Sequence, residues 1–260
     1  MKKELCILAL SGAALLLSAE DMKLTVTCDP PLPVRKNYVA GYNFDDGLKK
    51  WRVTDKDTTS VVFDKQLNKN VLKLQKSRKS VYRGVPLDLL TPGKYYIASC
   101  MICPDEKINA RKLAGYSGIG FEMTFWRPKW EKGVTVRVFG GGRQEWHKIV
   151  GKPVKIPEGK MAIGQLHVSI NYSPGTGMIC DLCVMEAYAQ MTIDVNSPEA
   201  PVRQVKVMDD TGRVVFDTGI LKGTEKTFKK TIRVETPNKY TIMAVANDGD
   251  VQSVDYPAAE

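Results

Sequence analysis

Residues 177–188 read GMICDLCVMEAY. This run follows a turn-rich stretch, Ser173-Pro174-Gly175-Thr176-Gly177, and reads as the last strand of a main domain. It carries a lone acid, Asp181, among apolar residues, and one of two Cys-x-x-Cys pairs. After it the composition changes and a second, smaller unit begins.

Working back from this strand, residues 37–188 are short β-type runs separated by turn signals. Strands are expected over 38–44, 60–63, 71–75, 80–87, 94–102, 118–126, 134–139, 145–150, 162–172 and 178–188. Turns fall at Asp45-Asp46-Gly47, Thr91-Pro92-Gly93, Gly140-Gly141-Gly142 and Ile156-Pro157-Glu158-Gly159. No long window has helical periodicity. The expected fold class is all-β: a jelly-roll β-sandwich followed by a smaller immunoglobulin-like β-sandwich. The smaller unit, 189–260, begins with a boundary stretch, 189–203, that holds Pro198 and Pro201. Hairpin signals follow at Asp209-Asp210-Thr211-Gly212 and Asn247-Asp248-Gly249-Asp250. Residues 20–36 hold a short strand, 23–27, and then a proline-rich run; the piece reads as an extended lead-in rather than a core strand, because Pro30, Pro31 and Pro33 supply no backbone donor.

Residues 1–19 read as a secretory signal. Lys2 and Lys3 precede a short apolar run, and Ser18-Ala19 offers a small-residue cleavage site. The run is shorter than the roughly 20 apolar residues of a membrane span, and no other segment is apolar enough. The expected location is extracellular, periplasmic or the cell envelope. The net charge of +9 favours anionic partners. The lysines are scattered rather than clustered, so a nucleic-acid surface is not expected. Oligomeric state is not legible.

Cys100-x-x-Cys103 and Cys180-x-x-Cys183 would suggest zinc in a cytosolic protein. An export signal shifts the balance toward disulfides. Three states remain open: disulfides, buried reduced thiols and zinc. Residues three apart in a strand face opposite sides, which disfavours a simple metal knuckle. Removing the signal takes Cys6 and leaves five cysteines, so one, with Cys28 the candidate, is unpaired or joins two molecules.

Alternation assigns the faces. In 118–126, Ile119, Phe121, Met123 and Phe125 share the apolar phase, while Glu122, Thr124 and Trp126 share the other. In 162–172, Leu166, Val168 and Ile170 are apolar, against Gln165, His167, Ser169 and Asn171. Trp130 lies just beyond, in a loop. An exposed indole is what a sugar ring stacks on, with hydroxyls left for polar neighbours. The candidate ligand-binding residues are therefore Trp126, Trp130, Glu122, Gln165, His167 and Asn171. The competing reading has the two tryptophans capping the core at a sandwich edge. Trp51 and Trp146 read as core residues.

Catalytic motifs are missing. His147 and His167 have no metal-binding spacing. There is no nucleophile elbow and no phosphate loop. Glu122 stands alone on its strand, whereas glycoside hydrolysis uses two carboxyl groups. No catalytic residue is assigned.

Several segments, in order, resemble secreted carbohydrate-binding modules of the galactose-binding-domain-like group. They are Asn37-Tyr38-Val39 with Asn43-Phe44-Asp45-Asp46-Gly47-Leu48 and Trp51, then Leu90-Thr91-Pro92-Gly93-Lys94-Tyr95-Tyr96, then Trp146 ahead of Ile156-Pro157-Glu158-Gly159, then Gly175-Thr176-Gly177 with Asp181. The resemblance covers about 37–188. It implies a jelly roll and a structural calcium near the joined ends of the domain, on Asp45 and Asp181. Spacing alone reads these as a turn acid and a capping acid. The expected function is a secreted, non-catalytic protein that binds a polysaccharide, with the charge favouring an acidic one. The alternative is a structural protein of the cell envelope or a surface assembly that contacts other proteins.

Overall fold

The computed structural model describes residues 21–30, 32, 36–75, 80–108, 117–236 and 238–257. The expected signal, 1–19, lies outside them. The strands are β1 (Lys23–Asp29), β2 (Arg52–Val53), β3 (Thr59–Asp64), β4 (Lys69–Gln75), β5 (Ser80–Gly84), β6 (Tyr95–Pro104), β7 (Gly118–Trp126), β8 (Lys132–Gly140) and β9 (His147–Val150). They continue as β10 (Val154–Lys155), β11 (Ile163–Asn171), β12 (Thr176–Glu186), β13 (Tyr188–Asn196), β14 (Val202–Asp209), β15 (Val214–Asp217), β16 (Thr227–Glu235), β17 (Tyr240–Ala246) and β18 (Val251–Tyr256). The protein is all-β. Among the described residues the only helical turn is a 3-10 turn at Pro128–Trp130.

The chain divides into two compact units. The larger holds Cys28–Met191 and Ile232–Lys239. Its strands form two sheets, ordered β10-β6-β12-β4-β3, with β9 also on β6, and β2-β5-β11-β7-β8. Consecutive strands repeatedly change sheet, at β4 to β5, β5 to β6, β6 to β7 and β11 to β12, as a jelly roll requires. The alternation read from the sequence now has its cause. Ile119, Phe121, Met123 and Phe125 of β7, with Leu166, Val168 and Ile170 of β11, form one core with Leu72, Leu74, Tyr96, Ala98, Ile102 and Ile179 of the other sheet. Burying each large side chain contributes about 1.5–3 kcal/mol, without which paired strands are marginal in water. Gly120 is demanded by the packing: a Cβ there would lie 2.0 Å from the Val138 carbonyl oxygen of β8.

The smaller unit contains the four-stranded sheet β15-β14-β17-β18 and most of a three-stranded sheet, β1-β13-β16. Both hairpin signals make hairpins. Asp209 receives the backbone N–H groups of Thr211 and Arg213 on Oδ1, and Ala246 N–H bonds the Asp250 carbonyl.

Two expectations need correction. Residues 38–44 are turns, not a strand. The Asn37 amide replaces a sheet partner there: Oδ1 accepts from Val39 N–H at 3.0 Å and Val184 N–H at 3.1 Å, and Nδ2 donates to the Leu182 carbonyl at 2.8 Å. The apolar residues of that segment are anchors, with Val39 and Phe44 buried. The short strand read at 23–27 is present as the seven-residue β1, hydrogen-bonded to β13. Finally, 189–196 continues as strand, and only then come Pro198 and Pro201. Trp51 is a core residue. Trp146 is not fully buried, and its Nε1–H donates to Asp64 Oδ2 at 3.1 Å.

Candidate functional site

Strand β7 lies between β11 and β8, and its residues facing away from the core sit directly opposite partners on both sides. Glu122 opposes His167 of β11 and Arg137 of β8. His167 in turn opposes Tyr82 of β5, and Tyr82 opposes Arg52 of β2. One row, Arg52-Tyr82-His167-Glu122-Arg137, therefore crosses the five-stranded sheet. Directly opposed side chains in a sheet are close enough to touch. The Tyr82 and His167 rings stack at 5.3 Å and 13°, and the Arg52 guanidinium lies 6.0 Å from the Tyr82 ring centre.

Neighbouring positions on this face are polar as well. His167 Nε2 is 3.2 Å from Gln165 Oε1, a bond that the Nε2–H tautomer donates. Ser169 Oγ donates to Asn171 Oδ1 at 3.2 Å. The Thr124 and Thr135 hydroxyls pair at 3.0 Å. Burial raises the Glu122 pKa above the ordinary carboxylate value, against the pull of Lys132 and Arg137. Burial also lowers the pKa of His167, which favours its neutral form.

Trp126 stands at the end of β7, on the same face as Glu122, opposite Ile163 on one side and Lys132 on the other. Its Nε1–H is shielded from solvent and has no hydrogen-bond partner among the described residues. An unpaired buried donor costs about 1–3 kcal/mol. The next residues form the short turn to β8, closed by Arg127 N–H on the Glu131 carbonyl at 2.7 Å. Lys129 and Trp130 both have left-handed backbones, with φ of 63° and 62°. Each such non-glycine residue costs about 1–2 kcal/mol. The turn leaves Trp130 65% exposed, with its ring 6.4 Å from that of Trp126 at 62°.

The six sequence candidates thus lie on, or at the end of, one face of one sheet. Arg52, Tyr82, Lys132 and Arg137 belong to the same face and were not singled out from the sequence. Their signal was the same alternation: Tyr82 lies out of phase with the buried Val81, and Arg137 with Val136 and Val138. Strand order, which places them beside Glu122 and His167, is not written in any local pattern.

Asp45 and Asp181 have other partners. Asp181 sits at a bulge in β12 with a left-handed φ of 50°, a backbone that Asp tolerates better than most residues. Both its carboxylate oxygens receive Lys69 Nζ, at 2.9 and 3.1 Å. The Asp45 carboxylate accepts from the Asn43 amide, and its charge also acts on Lys69. Calcium takes six to eight oxygens. Here an ammonium already stands on the Asp181 carboxylate. Among the described residues no group of three His, Cys, Asp or Glu could hold a metal. The residues present do not fit calcium.

The same bulge changes the reading of the cysteines. Cys180 opposes Met101 and Cys183 opposes Ser99, so the extra residue turns both to one side of the sheet. Cys103, opposite Met178, shares that side, while Cys100 packs in the core. Among the described residues no disulfide joins Cys100, Cys103, Cys180 and Cys183. Burial pushes the Cys180 thiol up to about 12, and raises those of Cys100, Cys103 and Cys183. Such shifts favour the protonated thiol over the thiolate.

No protein-family model matches the chain, and no curated protein matches it. Solved structures similar to it include TmCBM61 in complex with β-1,4-galactotriose, 17% identical, covering 58% of this chain and 99% of that one, with a TM-score of 0.35. Another is a family 16 carbohydrate-binding module, 13% identical, covering 58% and 100%, with a TM-score of 0.41. A third is the enzymatically active domain of bacteriophage CBA120 tailspike protein 4, 11% identical, covering 58% and 21%, with a TM-score of 0.38.

Proposed function

We propose that the larger unit is a non-catalytic carbohydrate-binding module of a secreted protein, and that it binds through the outward face of the five-stranded sheet. The observation that carries this reading is Trp130. A strained turn holds a large apolar ring in water, edge-on to Trp126, just past the end of the strand that carries Glu122. Strain of this kind, stored without a packing return, points to a function for the residue it displays. The chemistry suits a sugar. The indole offers an apolar plane for ring C–H groups, while Gln165, Asn171, His167 and Glu122 offer donors and acceptors for hydroxyls. Glu122 is the one acid on the described strands of this face, and glycosidases use a pair. That supports binding without hydrolysis.

The test is a polysaccharide binding panel on the mature full-length chain and its Trp130→Ala variant. Trp130 makes no core contact, so the melting temperature should hold while affinity falls at least tenfold, which corresponds to about 1.4 kcal/mol. Unchanged binding in that variant would remove this face from consideration.

A further inference from the structure

Strand β8 is one edge of the five-stranded sheet. Beside it runs a groove of about 620 Å³, walled on its far side by the segment from Val150 to Val154. Its charged lining residues are Lys132, Arg137 and Lys152, and no acid lines it. Among the described residues neither Lys132 nor Lys152 makes a salt bridge. This groove continues the face described above, because Lys132 stands opposite Trp126 and Arg137 opposite Glu122. From Lys132 to Arg137 the strand advances roughly 16 Å, room for several sugar rings.

We propose that the ligand is an anionic polysaccharide whose ring stacks on Trp130 and whose carboxylate or sulfate groups lie along Lys132, Arg137 and Lys152. This rests on the carbohydrate-binding reading and narrows its substrate class. Arg presents a planar fork matched to a carboxylate or sulfate, and the two lysines add mobile ammonium groups. The base-only lining repels no part of such a chain. The interaction is between partly exposed charges, so it weakens as salt screens it.

The experiment measures binding of the full mature chain to polygalacturonate, dextran sulfate and neutral galactan at low and raised salt. The variants are Lys132→Gln/Lys152→Gln and Trp130→Ala. Both lysines are exposed, so thermal melting should show the double variant folded as the parent is. The expected result is preference for one of the two anionic polymers, which also decides between carboxylate and sulfate. The double variant should lose at least tenfold affinity for that polymer, and Trp130→Ala should lose it too. Three outcomes would overturn the proposal. Preference for galactan, with Trp130 required, would sink the anionic class and leave carbohydrate binding standing. Anionic binding that ignores Trp130→Ala would be ion exchange on a basic surface. Absence of binding to all three polymers by the folded parent would count against both readings.

Discussion

The two sheets of the larger unit treat their acids in opposite ways. On the described strands of the six-stranded sheet each acid has found a partner. Asp181 holds Lys69. Glu186 holds Lys94 at 2.9 Å and the Tyr38 hydroxyl at 3.0 Å. Asp64 takes the Trp146 indole N–H and the Leu67 amide, and these bonds lower its pKa, the Leu67 amide most. On the five-stranded side, burial raises Glu122 with no hydrogen bond to offset it, and the Trp126 N–H goes unpaired. Self-satisfied polar groups stabilise a fold. Half-buried groups that cost stability and stay unpaired are what a binding surface keeps for its ligand.

If that contrast is right, damage on the six-stranded side should fall on stability. The largest effect is expected at Asn37, whose amide makes three bonds to two separate segments. Asn37→Ala strands two N–H groups and a carbonyl, at a cost of about 2–3 kcal/mol. For a unit of this size that is a fall of roughly 5–10 °C in melting temperature. Glycan affinity below the transition should be unchanged. A variant that melted normally would show that the 37–44 turns are held by Val39 and Phe44 alone.

A smaller effect is expected at Lys69. Its ion pair with Asp181 is half exposed, and such pairs contribute about 0–1 kcal/mol. Lys69→Met should therefore lower the melting temperature by no more than about 2–4 °C. The sharper readout is metal. With Lys69 in place, chelator should not change the melting curve of the parent. A chelator-induced drop, reversed by calcium, would show that the ammonium does not serve as the cation of this corner.

These contrasts were only partly legible in the sequence. Alternation in 118–126 and 162–172 placed Glu122, Trp126, Gln165, His167 and Asn171 on the outward phase, because a half-buried strand writes its two faces directly into a period of two. The same rule misled at 38–44, where Val39 and Phe44 are buried from turns and their spacing mimics a strand. It also failed at Asp181, where one bulged residue reverses the phase of everything after it and brings Cys180 and Cys183 to one side. What no local pattern holds is register between distant strands. The opposition of Glu122 to both His167 and Arg137, and of Lys132 to Trp126, depends on which strands become neighbours.

The smallest expected effect probes Glu122 itself. Burial holds its pKa in the folded state above the unfolded value, so the native protein binds that proton more tightly. Stability from this group is then greatest when it is protonated, and falls as pH rises from below the unfolded pKa to above the folded one. The neighbours that face it are His167 on β11 and Arg137 and Lys132 on β8. His167 is shifted the other way, so its contribution falls as pH drops through its own range. It is present in parent and variant alike, and the difference between them isolates the carboxyl group. Glu122→Gln keeps the shape and removes the charge. At pH 7 it should melt roughly 1–2 °C higher than the parent, and the gap should close as the pH falls below the ordinary carboxylate range. A variant less stable at pH 7 would mean that the attraction of Arg137 and Lys132 outweighs burial. Glu122 would then be another self-satisfied acid, and the two faces would differ less than their geometry implies.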